Sequence, residues 1–126
     1  MKKYRYLQSA EEYLKSGIDR YELKDYKGSL SDFTLALELN PKYSEAFFYR
    51  GLIYGKEFHK YQKALKDFDK AIKYNPEYAE AYLNRGVTYR ILDDLKHAVP
   101  DWRKARDLGM KDAVELIAKY ERFENS

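Results

Sequence analysis

The chain contains no cysteine. That excludes a disulfide framework, a thiolate nucleophile and any metal site built on sulfur, and it fits a reducing compartment. Proline is scarce, with 3 residues in 126, and tryptophan occurs once. Neither sign of charge dominates: 24 basic and 21 acidic side chains leave a formal net charge of +3. So small an excess argues against a chain dedicated to nucleic acid or to an acidic membrane surface. No apolar run approaches the ~18 residues that span a bilayer. The N-terminal stretch MKKYRYLQSAEEY is basic but lacks the apolar core of a secretory signal. A cytoplasmic location, without membrane contact, is expected. Catalytic constellations are missing as well. His59 and His97 are the only histidines and stand far apart, with no carboxylate at ligand spacing. No serine lies in a G-x-S-x-G context and no glycine loop is built for phosphate. No catalytic residue, metal or cofactor is expected, and the chain is not read as an enzyme.

What is present is a core and a wet surface. Hydrophobic residues make up 44% and charged residues 36%, a balance that suits one domain over 1–126. Tyrosine stands out, with 14 residues. Each offers apolar area and a hydroxyl that wants a partner. Half-buried packing is the expected role for most, and ligand contact is the alternative.

The chain also repeats itself. SLSDFTLALELNP (29–41), ALKDFDKAIKYNP (64–76) and AVPDWRKARDLGM (98–110) are one phrase in three versions. Gly17, Gly51 and Gly86 follow at steps of 34 and 35, whereas Phe33, Phe68 and Trp102 follow at 35 and 34. Ala36, Ala71 and Ala105 keep the second pattern, as do Tyr26, Tyr61 and Leu95. One extra residue therefore lies between Gly51 and Tyr61, and Gly55 to Tyr61 is its expected place, because a turn absorbs an insertion without rotating a buried face.

Each unit reads as two helices. Ala64, Leu65, Phe68, Ala71 and Ile72 lie on one face of a 3.6-residue helix, and strand alternation is absent. Ser9 and Glu12 suit a capping box. Asn40-Pro41, Asn75-Pro76 and Gly109 are expected to stop the second helices, with Asn in the left-handed conformation. Pro100 should bend its helix or delay its start. The small residues Gly17, Gly51 and Gly86 are expected to face Ser29, Ala64 and Ala98 across each hairpin. Phe33, Phe68 and Trp102 would then fill the space between hairpins.

An aromatic, a Gly, a Tyr, an Ala, a Phe, an Ala and a Pro in that order over 34 residues resembles the tetratricopeptide repeat, TPR. Tyr13, Gly17, Tyr26, Ser29, Phe33, Ala36 and Pro41 carry the resemblance in unit one. Phe47, Gly51, Tyr54, Tyr61, Ala64, Phe68, Ala71 and Pro76 carry it in unit two, and Tyr82, Gly86, Tyr89, Leu95, Ala98, Trp102 and Ala105 in unit three. Departures are Ser16, Arg50 and Arg85 in place of a large apolar residue, Arg20 where the other units have Tyr54 and Tyr89, and Pro100. The pentatricopeptide repeat shares the period, but the small-residue pattern looks like TPR. The resemblance implies an all-α, right-handed α-α superhelix of seven helices. These are three antiparallel hairpins (about 10–43, 44–78 and 79–112) and a capping helix at about 113–123. Ala113, Leu116, Ile117 and Tyr120 would face the last hairpin. Glu115, Lys119, Glu121, Arg122 and Glu124 would form the polar outer surface; a docking face is the alternative.

In such a superhelix first helices line a concave surface that takes up segments of other proteins. By register the lining positions are Leu14, Lys15, Ile18 and Tyr21, then Phe48, Tyr49, Leu52 and Lys56, then Leu83, Asn84, Val87 and Arg90. A site is expected at Leu14, Lys15, Ile18, Phe48, Tyr49, Leu52, Leu83, Asn84, Val87 and Arg90; the alternative is that some of these tuck between neighbouring first helices. Asn84 stands where many members of the family hold a ligand's backbone. The places that match the chaperone-tail carboxylate clamp hold Leu14, Ile18, Tyr49, Glu80 and Asn84, of which only Asn84 fits. The expected function is a non-catalytic protein–protein interaction module or scaffold, whose partner is another protein or a peptide. Alternatives are a self-assembling structural adaptor, with weak homo-oligomerisation, and nucleic-acid binding through Lys63, Lys66, Lys70 and Lys73, a stripe that Asp67 and Asp69 interrupt.

Overall fold

The computed structural model describes residues 9–124, with side chains through 120. Among the described residues there are seven α-helices and no strand. They are α1 (Ala10–Glu22), α2 (Tyr26–Leu39), α3 (Ser44–Leu52), α4 (Tyr61–Tyr74), α5 (Ala79–Ile91), α6 (Leu95–Asp107) and α7 (Asp112–Glu124). A π-helical turn, Ile53–Glu57, extends α3. Each helix packs on the next, so α1/α2, α3/α4 and α5/α6 form hairpins and α7 covers α6. No described helix is long and apolar enough to cross a membrane.

The helix ends follow local chemistry. Ser9 Oγ accepts from the Glu12 N–H and Glu12 Oε1 from the Ser9 N–H, both at 3.1 Å, which closes the expected capping box. Asp25 and Asp94 cap α2 and α6 by accepting from the N–H groups of Gly28 and His97. Asn40 and Asn75 differ from expectation. Their φ values of −136° and −144° are extended, not left-handed. The following proline forces this, because its ring disfavours helical geometry in the residue before it. Their side chains instead accept the N–H two residues on, from Lys42 and Glu77. Left-handed backbone sits at Lys24, His59 and Asp93, which end the first helices, and at Gly109, which ends α6 as expected. Pro100 does not delay α6. The helix begins at Leu95, in register with Tyr26 and Tyr61, and the donor lost at Pro100 faces the exposed first turn.

The extra residue of unit two begins its effect earlier than Gly55. It widens the end of α3 into the π-helical turn, where the Phe58 N–H reaches the Ile53 carbonyl at 3.2 Å. A π-turn absorbs one residue while the helix continues, so the buried face before it keeps its register.

The core is built from glycine, alanine and one ring per hairpin. Ala36, Ala46, Ala64, Ala71, Ala81, Ala98 and Ala105 have no exposed surface, nor have Phe33 and Trp102. A Cβ on Gly17 would lie within van der Waals overlap of the Phe33 ring, one on Gly51 at 2.9 Å from the Phe68 ring and one on Gly86 at 2.6 Å from Trp102 Nε1. The glycines therefore seat the ring of their own hairpin, rather than only facing small residues. This closeness offsets about 0.5–1 kcal/mol of helix propensity per glycine. Ser29 Oγ also donates to the Gly17 carbonyl at 2.8 Å. The outer faces of two rings meet the next element, as expected: Phe33 stacks on Tyr49 (5.7 Å) and Trp102 lies against Tyr120 (5.5 Å).

Along α7, Ala113 and Ile117 are buried and Leu116 and Tyr120 half-buried against α6, while Glu115 and Lys119 are exposed. The side chains of Glu121, Arg122 and Glu124 lie outside the described residues.

Candidate functional site

The inner face of the stack is formed by α1, α3 and α5. The sequence-derived lining residues divide there. Leu14 (7% exposed) and Phe48 (6%) are core residues, packed with Tyr13 and Phe33 in one case and with Phe68 and Ala81 in the other. They correct the expectation of an open apolar stripe: neighbouring helices approach closely enough to enclose them. Ile18, Tyr49, Leu52, Leu83, Asn84, Val87 and Arg90 are half-buried, and Lys15 is exposed. Lys15 also borders an open hollow of about 560 Å³ on the first hairpin, lined further by Glu12, Ser16, Asp19, Arg20, Leu23 and Asp25.

Tyr49 is held on two sides, stacked on Phe33 at 20° and edge-on to Phe48 at 5.3 Å and 73°. Phe48 in turn meets Tyr78, the residue that opens α5, at 4.9 Å. Three helices thus contribute to one aromatic row. Asn84 Nδ2 donates to the Glu80 carbonyl at 2.8 Å, one turn back. A second N–H and the side-chain carbonyl remain for a ligand. Burial first, then the carboxylates of Glu45, Glu80 and Glu22, push the Tyr49 hydroxyl above the ordinary tyrosine range. Tyr78 is pushed up further, by burial, Tyr49, Glu45 and Glu80. Arg90 is not free in the groove, since its guanidinium lies 5.9 Å from the Tyr120 ring centre.

Sequence reasoning left the arginines unexplained, and the structure gives them a role on the opposite face. Arg50 holds Asp67 of its own hairpin with two hydrogen bonds of 2.9 Å and reaches Thr34 of the hairpin before. Arg85 holds Asp101 at 2.7 and 2.8 Å and reaches Asp69 of the hairpin before at 2.9 Å. In the first hairpin Ser16 donates to Asp32 at 2.6 Å and Arg20 pairs with it at 3.1 Å, so Arg20 replaces an arginine missing at position 16. Burial is the largest influence on Asp67 and Asp101 and raises both carboxyls, with the facing guanidinium opposing it. The signal was legible: Asp32, Asp67 and Asp101 precede the aromatic in all three phrases. It also changes the lysine stripe. Lys63, Lys66, Lys70 and Lys73 are exposed, but Asp67 points inward and Asp69 is taken by Arg85, so neither lies as a free charge in the row.

Paired antiparallel helices with a glycine-seated ring, repeated three times and closed by a further helix, are matched by known families. The family model for a TPR repeat matches residues 60–90, and that for a tetratricopeptide repeat matches residues 79–107. Residues 60–107 are thus similar to tetratricopeptide repeats, and the chain has the fold of a TPR protein. Solved TPR structures share its fold. The first TPR of Spaghetti (RPAP3), bound to the HSP90 peptide SRMEEVD, superposes with a TM-score of 0.87 at 21% identity, over 94% of this chain and 95% of that one. The Arabidopsis OM64 TPR domain gives 0.85 at 25% identity, over 91% and 96%. YrrB, described as a TPR protein with an unusual peptide-binding site, gives 0.76 at 28% identity over 89% of this chain, which spans only 57% of YrrB. No curated protein matches the chain.

Proposed function

We propose that the chain is a non-catalytic interaction module, a single domain over 1–126, with repeats at about 10–43, 44–78 and 79–112 and a cap at about 113–123. It holds an extended segment of another protein along the inner face of α1, α3 and α5. The observation that carries this reading is the aromatic row of Tyr49, Phe48 and Tyr78, with Asn84 further along α5. Rings fixed by packing present hydrogen-bonding groups with little conformational freedom left to lose on binding. Ile18 and Leu52 supply partly open apolar surface in the clusters that hold Tyr49, and Leu83 and Val87 supply more on α5. The RPAP3 domain, of the same fold, binds a peptide, which supports the use of this architecture for such a purpose.

Replacing Tyr49 and Asn84 with Ala, then titrating against partners recovered by pull-down, tests the assignment. Weakened binding with unchanged helicity is expected. Unchanged affinity in a fully helical variant refutes the groove.

A further inference from the structure

The inner face has a polarity of its own. Glu11, Glu45 and Glu80 recur at steps of 34 and 35, each in the first turn of a first helix. A carboxylate there complements the helix dipole, and that alone would explain it. Two further facts go beyond the dipole. Among the described residues none of the three carboxylates has an ion-pair partner, although every conserved-phrase Asp on the second helices has an arginine or serine. Glu45 and Glu80 also flank the partly open aromatic row, where neither the Tyr49 nor the Tyr78 hydroxyl has a hydrogen-bond partner among the described residues.

We infer that the groove's occupant is a basic segment of another protein, with a Lys or Arg side chain seated between α3 and α5. Tyr49 and Tyr78 offer ring edges, faces and hydroxyls, and Glu45 and Glu80 offer charge. A cation gains from aromatic faces and carboxylates together. A carboxylate placed there would meet two like charges. The half-buried Leu52, packed in the same cluster as Phe48, Tyr49 and Tyr78, suits an apolar neighbour of that cation in the segment. The HSP90 peptide SRMEEVD, with two Glu and one Asp against one Arg, has the opposite character. This inference rests on the groove reading above and narrows its partner.

The test uses the full chain and three fluorescein-labelled peptides about ten residues long, enough to run extended along the face. They share one apolar pattern and carry Arg, Gln or Glu at the remaining positions. Anisotropy titration is expected to show binding of the Arg peptide, weakening as salt rises from roughly 50 to 200 mM. The double variant Glu45→Gln, Glu80→Gln should weaken it by about tenfold, and Glu38→Gln on the outer helix α2 should leave it unchanged. If the Gln or Glu peptide binds as well as the Arg peptide and loses affinity on Tyr49→Ala, the groove stands and its preference for a cation is overturned. If no peptide binds, both readings fail. If sedimentation shows self-association that the double variant abolishes, the occupant is a second copy and the inference is wrong.

Discussion

The two faces of the stack treat charge in opposite ways. On the second-helix side, Arg50 and Arg85 each bridge two hairpins and satisfy a buried aspartate. On the first-helix side, Glu45 and Glu80 face tyrosines and have no cation among the described residues. Charge enclosed within the seam fixes how hairpins sit on one another. The exposed carboxylates of Glu45 and Glu80 have no such part in the stacking, and the proposed function gives them a partner. Both follow from the same repeat period, so the period alone does not tell stacking residues from binding residues.

Breaking a seam pair is the largest effect expected. Arg85→Ala strands Asp101 in a buried place and removes the link to Asp69, and should cost about 3 kcal/mol in urea unfolding. Replacing both partners, Arg85→Met with Asp101→Leu, should recover most of that loss. A double variant as unstable as the single would mean that the loss comes from packing, not from a stranded charge.

The glycine seats come next. Gly17→Ala and Gly86→Ala should each cost about 2–3 kcal/mol, because Phe33 and Trp102 have nowhere to move. Gly51→Ala should cost less, since its nearest contact with Phe68 is the longest of the three. Equal losses at all three would show that the seats are alike.

Trp102→Phe should change stability by no more than about 1 kcal/mol. The smaller ring loses contacts with Tyr120, but the buried Nε1–H, which has no hydrogen-bond partner among the described residues, is removed with it. Phe33 and Phe68 already fill this place in the other hairpins. The smallest effect should be a gain: His59→Gly relieves a left-handed residue and should stabilise by up to about 1 kcal/mol.

The hairpins, the capping box and the capping helix were legible because each depends on local spacing and on small residues in register. The arginine seam was written as plainly, in Asp-Phe, Asp-Phe and Asp-Trp, but charge is ordinarily read as surface, and which face it occupies is settled by packing. The extended conformation of Asn40 and Asn75 follows from the proline beside each. The proposed lining of the inner face was chosen by position, and exposure bears it out only in part. Leu14 and Phe48 were placed in it by register, and the distance between neighbouring helices, which no spacing encodes, encloses them. Tyr78, Glu45 and Glu80 were not singled out as lining residues. They stand at the entry to their helices, where the dipole already accounts for an acid and a tyrosine reads as packing.

The most direct measurement takes Glu45→Gln, Glu80→Gln and follows stability and binding in one preparation. The account predicts a urea midpoint close to that of the parent chain together with about a tenfold loss of affinity for the Arg peptide. A lowered midpoint with undiminished affinity would contradict it, by showing that these carboxylates hold the fold and not the ligand.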